Sequence, residues 1–335
     1  MRIVNALHPD FRSAWELLCE TNLVNPIYFG NHIEYYLEVN QGISYKDLSF
    51  VIMEGNAPIL GCRLLKSILP TTITQLDYFG SEALILIDQA QSDVQSASEL
   101  AFSYYKNLGL IQEMDNRDCE WSFIYQSYLQ KTSKFVEELI KRSHQVGVSI
   151  DRVLFLASEQ DKLQANLSKS VKSAIKQSAQ MGVTHQVIDH SSSGSLISFA
   201  VQDLRKLHFE SAKRVTRSDA SWEIQEQGIS SGDCFIVQAS INGATVSSAL
   251  FLTGGRSAYY GVSARTQNYL NVSLGHSVIW ESIKYLKGRE YKKLFLGKQF
   301  SDKISNPDRK VIAIEKFKGQ FGGDLETHLK FSNKS

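Results

Sequence analysis

The segment Ile314-Glu-Lys-Phe-Lys-Gly-Gln-Phe-Gly-Gly323 places lysines beside aromatics just ahead of a double glycine. Ile314, Phe317 and Phe321 recur at i, i+3 and i+7, so on a helix they share one face and leave Lys316 and Lys318 at its edges. Gly322 and Gly323 then stop the helix and let the backbone turn sharply. A lysine held beside a buried aromatic keeps positive charge at the wall of a cleft, where it can meet an anion. The same spacing fits an ordinary solvated lysine. Upstream, Tyr291-Lys-Lys-Leu-Phe-Leu-Gly297 reads as the strand that leads into this segment.

These residues need a scaffold, and the chain repeats one. Leu48 to Glu54, a Gly55-Asn56 turn and Ala57 to Leu65 form a hairpin pattern, and so do Cys234 to Ile241, an Asn242-Gly243 turn and Ala244 to Leu252. Asn and Gly between apolar runs favour the positive φ values of a tight hairpin turn. The second hairpin continues into a strand at Ser257–Ser263, the first into a strand around Thr74–Phe79. A helix pattern follows each, Ser92–Leu108 before Gly109 and Leu274–Lys287 before Gly288, and each leads to a further strand, at Trp121–Tyr125 and Lys293–Leu296. A unit of strand, turn, strand, strand, helix and strand that occurs twice predicts two similar α/β domains, at 1–150 and 151–335. Between the units, Leu163–Met181 reads as one helix with Lys169, Lys172 and Lys176 in a basic stripe, a pattern that also suits a solvated face. Leu196–Val215 reads as another helix and carries His208, Glu210 and Arg214.

Bulk properties narrow the class. At 335 residues the chain exceeds one compact core. Its hydrophobic fraction of 43% and charged fraction of 21% are those of a soluble globular protein, and no apolar run reaches the roughly 20 residues of a membrane span. Cys19, Cys62, Cys119 and Cys234 form no CxxC or Cys/His cluster, so no metal site is expected and a reducing cytoplasm fits best. The net charge of +1 conceals an asymmetry: residues 1–150 carry −7 and residues 284–335 carry +7. Local basic charge suits an anionic small ligand, while an overall pI near 7.7 argues against a dedicated nucleic-acid binder. No Gly-x-Ser-x-Gly elbow, P-loop or Rossmann fingerprint occurs. Oligomeric state is not legible.

Four passages in order resemble the FemAB-like branch of the acyl-CoA N-acyltransferase (GNAT) superfamily, whose members carry two GNAT-type domains in tandem. Leu167 to Gly182 is similar to the family's basic helix. Leu207-His-Phe-Glu-Ser-Ala-Lys-Arg214 is similar to a His-containing helix of polysaccharide-associated acyltransferases. Tyr259-Tyr-Gly-Val-Ser263 with Trp280-Glu-Ser-Ile283 resembles the central strand and its helix, and Phe317-Lys-Gly-Gln-Phe-Gly322 the closing element. The resemblance implies an α/β (α+β) fold of two tandem GNAT-like domains, each a mixed, mainly antiparallel sheet flanked by helices.

It also implies an N-acyltransferase that acts on an amine of an amino-sugar, peptidoglycan or polysaccharide precursor, a small-molecule or nucleotide-sugar substrate. Acyl-CoA or aminoacyl-tRNA would be the donor cosubstrate, with tRNA the less favoured and no bound cofactor. Lys318 maps onto the lysine thought to stabilise the oxyanion of acyl transfer. His208 is by type a candidate base for the amine proton, although a lone His on an amphipathic helix also suits a structural role. Glu210, His276 and Asp302 are further acceptors by type. Phe317, Lys172, Lys176, Arg214 and Tyr260 are the expected substrate-binding residues. Where the family's CoA users carry a glycine-rich phosphate loop, this chain reads Asn271-Val-Ser-Leu-Gly-His276, leaving Ser273 and Gly275 as the expected phosphate contacts. The competing expectation is a non-catalytic binding module of the same fold that holds an anionic ligand or partner.

Overall fold

The computed structural model describes all residues except 70–72, 89, 91–92, 127–132, 158–159, 270–271, 273, 300–308 and 334–335. The N-terminal half opens with β1 (Arg2–Asn5), α1 (Phe11–Thr21) and α2 (Ile33–Val39). It continues through β2 (Tyr45–Asp47), β3 (Phe50–Glu54), β4 (Ala57–Arg63), β5 (Leu65–Ile68), β6 (Thr74–Asp77) and β7 (Ala83–Ile87). Helices α3 (Val94–Asn107) and α4 (Leu110–Met114), strand β8 (Cys119–Tyr125) and α5 (Lys134–Ile140) complete it. The C-terminal half contains β9 (Gln145–Phe155), α6 (Gln160–Asn166), α7 (Lys169–Gln180), β10 (Thr184–Ile188), α8 (Gly194–Ala212) and α9 (Asp219–Ser231). After these come β11 (Cys234–Ile241), β12 (Ala244–Gly254), β13 (Ser257–Arg265), α10 (Leu274–Gly288), β14 (Lys293–Gln299), α11 (Arg309–Gly319) and β15 (Asp324–Ser332).

The repeated pattern folds as a repeated unit. In the first, β3, β4 and β7 run antiparallel and β7 joins β8 in parallel after α3; in the second, β11, β12 and β13 do the same and β13 joins β14 after α10. Asn242 and Gly243 take the positive φ values, 52° and 79°, that the turn requires. Two sequence expectations are corrected. The third strand of the first unit is the apolar β7, while β6 belongs to a side ribbon with β2 and β5. The single helix expected over Leu163–Met181 is two, because Ser168 leaves helical geometry and caps α7 through the Val171 amide at 3.3 Å.

All fifteen described strands share one mixed, mainly antiparallel sheet, whose main path is β1-β3-β4-β7-β8-β15-β9-β14-β13-β12-β11-β10. The last strand therefore stands at the centre: β15 pairs with β8 on one side and along its whole length with β9 on the other. Residue 150 lies inside β9, and Phe331 of β15 is buried in the core of the N-terminal half among Trp121, Phe123 and Phe135. Each half buries apolar side chains on both faces of its sheet. In the N-terminal half α3–α5 cover one face and α1 the other; in the C-terminal half α7 and α10 lie opposite α8 and α9. The segment around α2 ties the halves together. His32 Nε2 lies 2.9 Å from the Thr253 carbonyl, and Arg217 donates to the Tyr35 hydroxyl at 2.8 Å. Among the described residues no helix is long and apolar enough to cross a membrane.

Candidate active site

The site begins where two parallel strands part. β13 and β14 pair only over Ser257–Tyr259 and Lys293–Phe295, after which β13 follows β12 and β14 follows β9. A bulge helps them diverge: the register with β12 steps from Leu250 opposite Val262 to Phe251 opposite Tyr260, leaving Gly261 unmatched. The gap opens into a cavity of about 690 Å³ lined by Tyr260, Ser263, Arg265, Gly275, His276 and Phe317. A second cavity, about 460 Å³, lies between the halves and draws Tyr28 and Tyr36 from one, Asp151, Lys298 and His328 from the other. Tyr259, Ile314 and Lys318 line both.

Helix α11 is the partition between the cavities. It buries none of its residues fully; Ile314 stays 43% exposed, while Phe321 just beyond its end is buried. The expected apolar face is thus seated mainly at its C-terminal end, and the helix overhangs open space with the rest. Gly323, with φ of 82°, makes the turn back into β15, and a Cβ there would stand 2.3 Å from the Val153 carbonyl oxygen. Lys318 is half-buried, and burial lowers its pKa while the charges of Asp151 and Glu315 work against that fall.

Opposite, the first turn of α10 presents His276, 9% exposed, between Phe317 and Phe321 at ring distances of 4.7 and 5.6 Å. Its Nε2 lies 2.6 Å from Gln320 Oε1 and therefore donates; the buried Nδ1 has no hydrogen-bond partner among the described residues. The tyrosines of the second cavity are protonated donors, since burial raises the pKa of Tyr28, Tyr36 and Tyr259. Its rim is fixed by charge: buried Glu82 holds Lys330 at 2.8 Å and also pairs with Lys298. Burial alone would raise the Glu82 pKa, but the two ammonium groups prevail and hold it near 2.

The structure brings Lys318, Phe317, Tyr260 and Gly275 to one cavity, and His276 with them. It places the other expected residues elsewhere. His208 and Arg214 line a separate cavity of about 380 Å³ with Arg205, Arg217 and Trp222. There Arg217 donates to His208 Nε2 at 2.9 Å, so the imidazole proton sits on Nδ1, facing the Thr216 hydroxyl at 3.3 Å. Burial, then Arg217 and Lys310, lower the His208 pKa. Lys172 and Lys176 are exposed on α7 and line none of these cavities; Lys172 donates to the Ala165 carbonyl at 2.9 Å. Ser273 and Asp302 lie outside the described residues. Sequence reasoning missed Asp151, His328, Tyr28 and Tyr36. The alternation Val146, Val148, Ile150 against Ser149, Asp151 was the available signal for β9 and its polar face.

This arrangement, two repeated α/β units joined in one sheet, is a fold that the chain shares with solved structures. The chain resembles the crystal structure of FemX over 98% of its length and 97% of that chain, with a TM-score of 0.68 and 12% identity. It also resembles the C-terminal domain of a putative lysylphosphatidylglycerol synthetase from Agrobacterium fabrum, with a TM-score of 0.55, 10% identity and coverage of 82% and 81%. An L-PGS from Bacillus licheniformis matches with a TM-score of 0.51 and 8% identity over 82% of this chain and 81% of that one. No protein-family model and no curated protein matches the chain by sequence.

Proposed function

We propose that the chain is an N-acyltransferase that moves an acyl or aminoacyl group to an amine at the junction of its two cavities. The observation that carries this reading is the position of Lys318 in the wall common to both. A donor in the larger cavity, beside the first turn of α10, would present its carbonyl to an amine arriving through the cavity between the halves. Attack builds negative charge on the carbonyl oxygen, and a pre-positioned ammonium lowers the energy of that charge. Both halves would wall the acceptor cavity, and residues of 151–335 alone the donor cavity.

Acyl-CoA or aminoacyl-tRNA are the donors to test, and an amine-bearing nucleotide-sugar or cell-envelope precursor is the acceptor class. The shared fold with FemX and with a lysylphosphatidylglycerol synthetase domain supports the choice. We assign His208 a structural role, because its lone pair is taken by Arg217 in a cavity that Lys318 does not line. The test is a transfer assay with acetyl-CoA or alanyl-tRNA and UDP-linked amino sugars or lysine-containing peptides, alongside thermal shift. Product from one pair, and a rise in melting temperature with that donor, is expected. A rise without product would favour a binding module, and neither would reject the reading.

A further inference from the structure

Glu326, His328 and Lys330 alternate along β15 and so share one face, and each meets a charged group on a neighbouring element. Glu326 pairs with Lys293 at 2.6 Å, Lys330 with Glu82 at 2.8 Å, and His328 Nε2 lies 3.5 Å from Asp151 Oδ2. The register explains the last contact: Asp151 stands opposite Glu326 on β9, one diagonal step from His328. These carboxylates are compensated unequally. Glu326 has a lysine and Glu82 has two, whereas Asp151 has no lysine or arginine within 4.0 Å among the described residues. Yet Asp151 is only 7% exposed and lines the cavity that Lys318 closes. Lys318 and Lys293 act on Asp151 from a distance, and a buried carboxylate with no lysine or arginine in direct contact leaves room for an arriving cation.

We propose that Asp151 is a catalytic residue of the transfer, the carboxylate that holds the acceptor amine and carries its proton to the leaving group. The chemistry rests on the transferase reading above; the amine contact rests on the cavity itself. The protonated acceptor docks against Asp151 and loses one proton to water. Its nitrogen lone pair then forms the new C–N bond while the carbonyl π pair moves onto oxygen, opposite Lys318. The nitrogen passes its surplus proton to Asp151. As the carbonyl re-forms, the bond to the leaving sulfur or oxygen breaks, and that atom departs with the electron pair and takes the proton from Asp151. The tyrosines and the lysine of the cavity are poorly suited to this shuttle. Tyr28, Tyr36 and Tyr259 keep their protons, and Lys318 must keep its own to oppose the oxyanion. The charges that face Asp151 are Lys318 and Glu315 on α11, His328 and Glu326 on β15, and Lys293 and Lys298 on β14.

The test uses the full chain and the probe Nα-acetyl-lysine amide, with Nα-acetyl-norleucine amide as its uncharged counterpart. Binding is followed by NMR, and acetyl transfer from acetyl-CoA, or alanyl transfer from alanyl-tRNA, is measured to the same probe. Asp151→Asn is expected to weaken lysine-probe binding at least tenfold, and Glu315→Gln less than threefold. Transfer by Asp151→Asn should fall roughly 100-fold. Equal affinity in wild type and Asp151→Asn, equal binding of the norleucine probe, or no binding by the wild type would overturn the proposal. Should Asp151→Asn not fold, the wild type still decides: contacts from the probe's terminal methylene to the Tyr259 and His328 rings are required, and their absence is fatal. Asp151-dependent binding without transfer from either donor would reject the transferase reading and keep the amine site. Full-rate transfer by Asp151→Asn would do the reverse.

Discussion

Gly297 and Lys318 fit each other at the junction of the two cavities. A Cβ on Gly297 would stand 2.7 Å from Lys318 Nζ, and the glycine backbone has a φ of 102°. Only a residue without a side chain lets the ammonium lie against β14 there, in a backbone region that L-residues rarely occupy.

Gly297→Ala is therefore expected to act twice. Backbone strain should cost about 1–3 kcal/mol of stability, read by urea unfolding. The displaced ammonium should lower transfer at least tenfold even where the variant is fully folded. A folded variant with wild-type rate would show that Lys318 does not need this seat.

Glu82 predicts a pH dependence. Its folded pKa of about 2 lies below the ordinary carboxylate value of 4.5, so the folded state binds its proton less readily than the unfolded state. The stability this contributes is complete above the unfolded value and fades as pH falls towards 2. The shift corresponds to about 3 kcal/mol. Glu82→Gln should be less stable than wild type near pH 7 by an amount of that order, and the gap should close between pH 5 and pH 2. Chemical denaturation across this range measures it; a constant gap would remove the ion triad as its cause.

Lys293, fully buried, contacts Glu326 and stacks over Phe295 with Nζ 4.6 Å from the ring centroid. Burial lowers its pKa, and Glu326 opposes that. Lys293→Met leaves the buried carboxylate without its ammonium, and about 3–5 kcal/mol should be lost. Adding Glu326→Leu should recover most of it. Thermal melts of the single and double variants decide, and an additive double variant would count against the coupling.

Much of the fold could be read from local pattern. Asn242-Gly243 announces its hairpin, and the order of strands and helices announces the repeat. The strand order across the middle was not legible, because pairing of β15 with β8 depends on which sheet edges meet and not on any local signal. The same holds for the site. Phe317, Lys318, Tyr260 and Gly275 belong to segments whose order was recognisable, and they converge. His208 lies on an equally recognisable helix and Arg214 just past its end, yet α8 packs on the opposite face from α10 and carries them to another cavity. Asp151 was not singled out by any sequence signal; its burial and its neighbours on β15 do so.

The central claim is that transfer takes place at Lys318, and the rate of the Lys318→Ala variant tests it most directly, with His208→Ala as the comparison. Donor binding and the melting curve of Lys318→Ala should stay close to wild type while kcat falls by about 10²–10³. His208→Ala should lose less than tenfold. Wild-type turnover by Lys318→Ala would contradict the account.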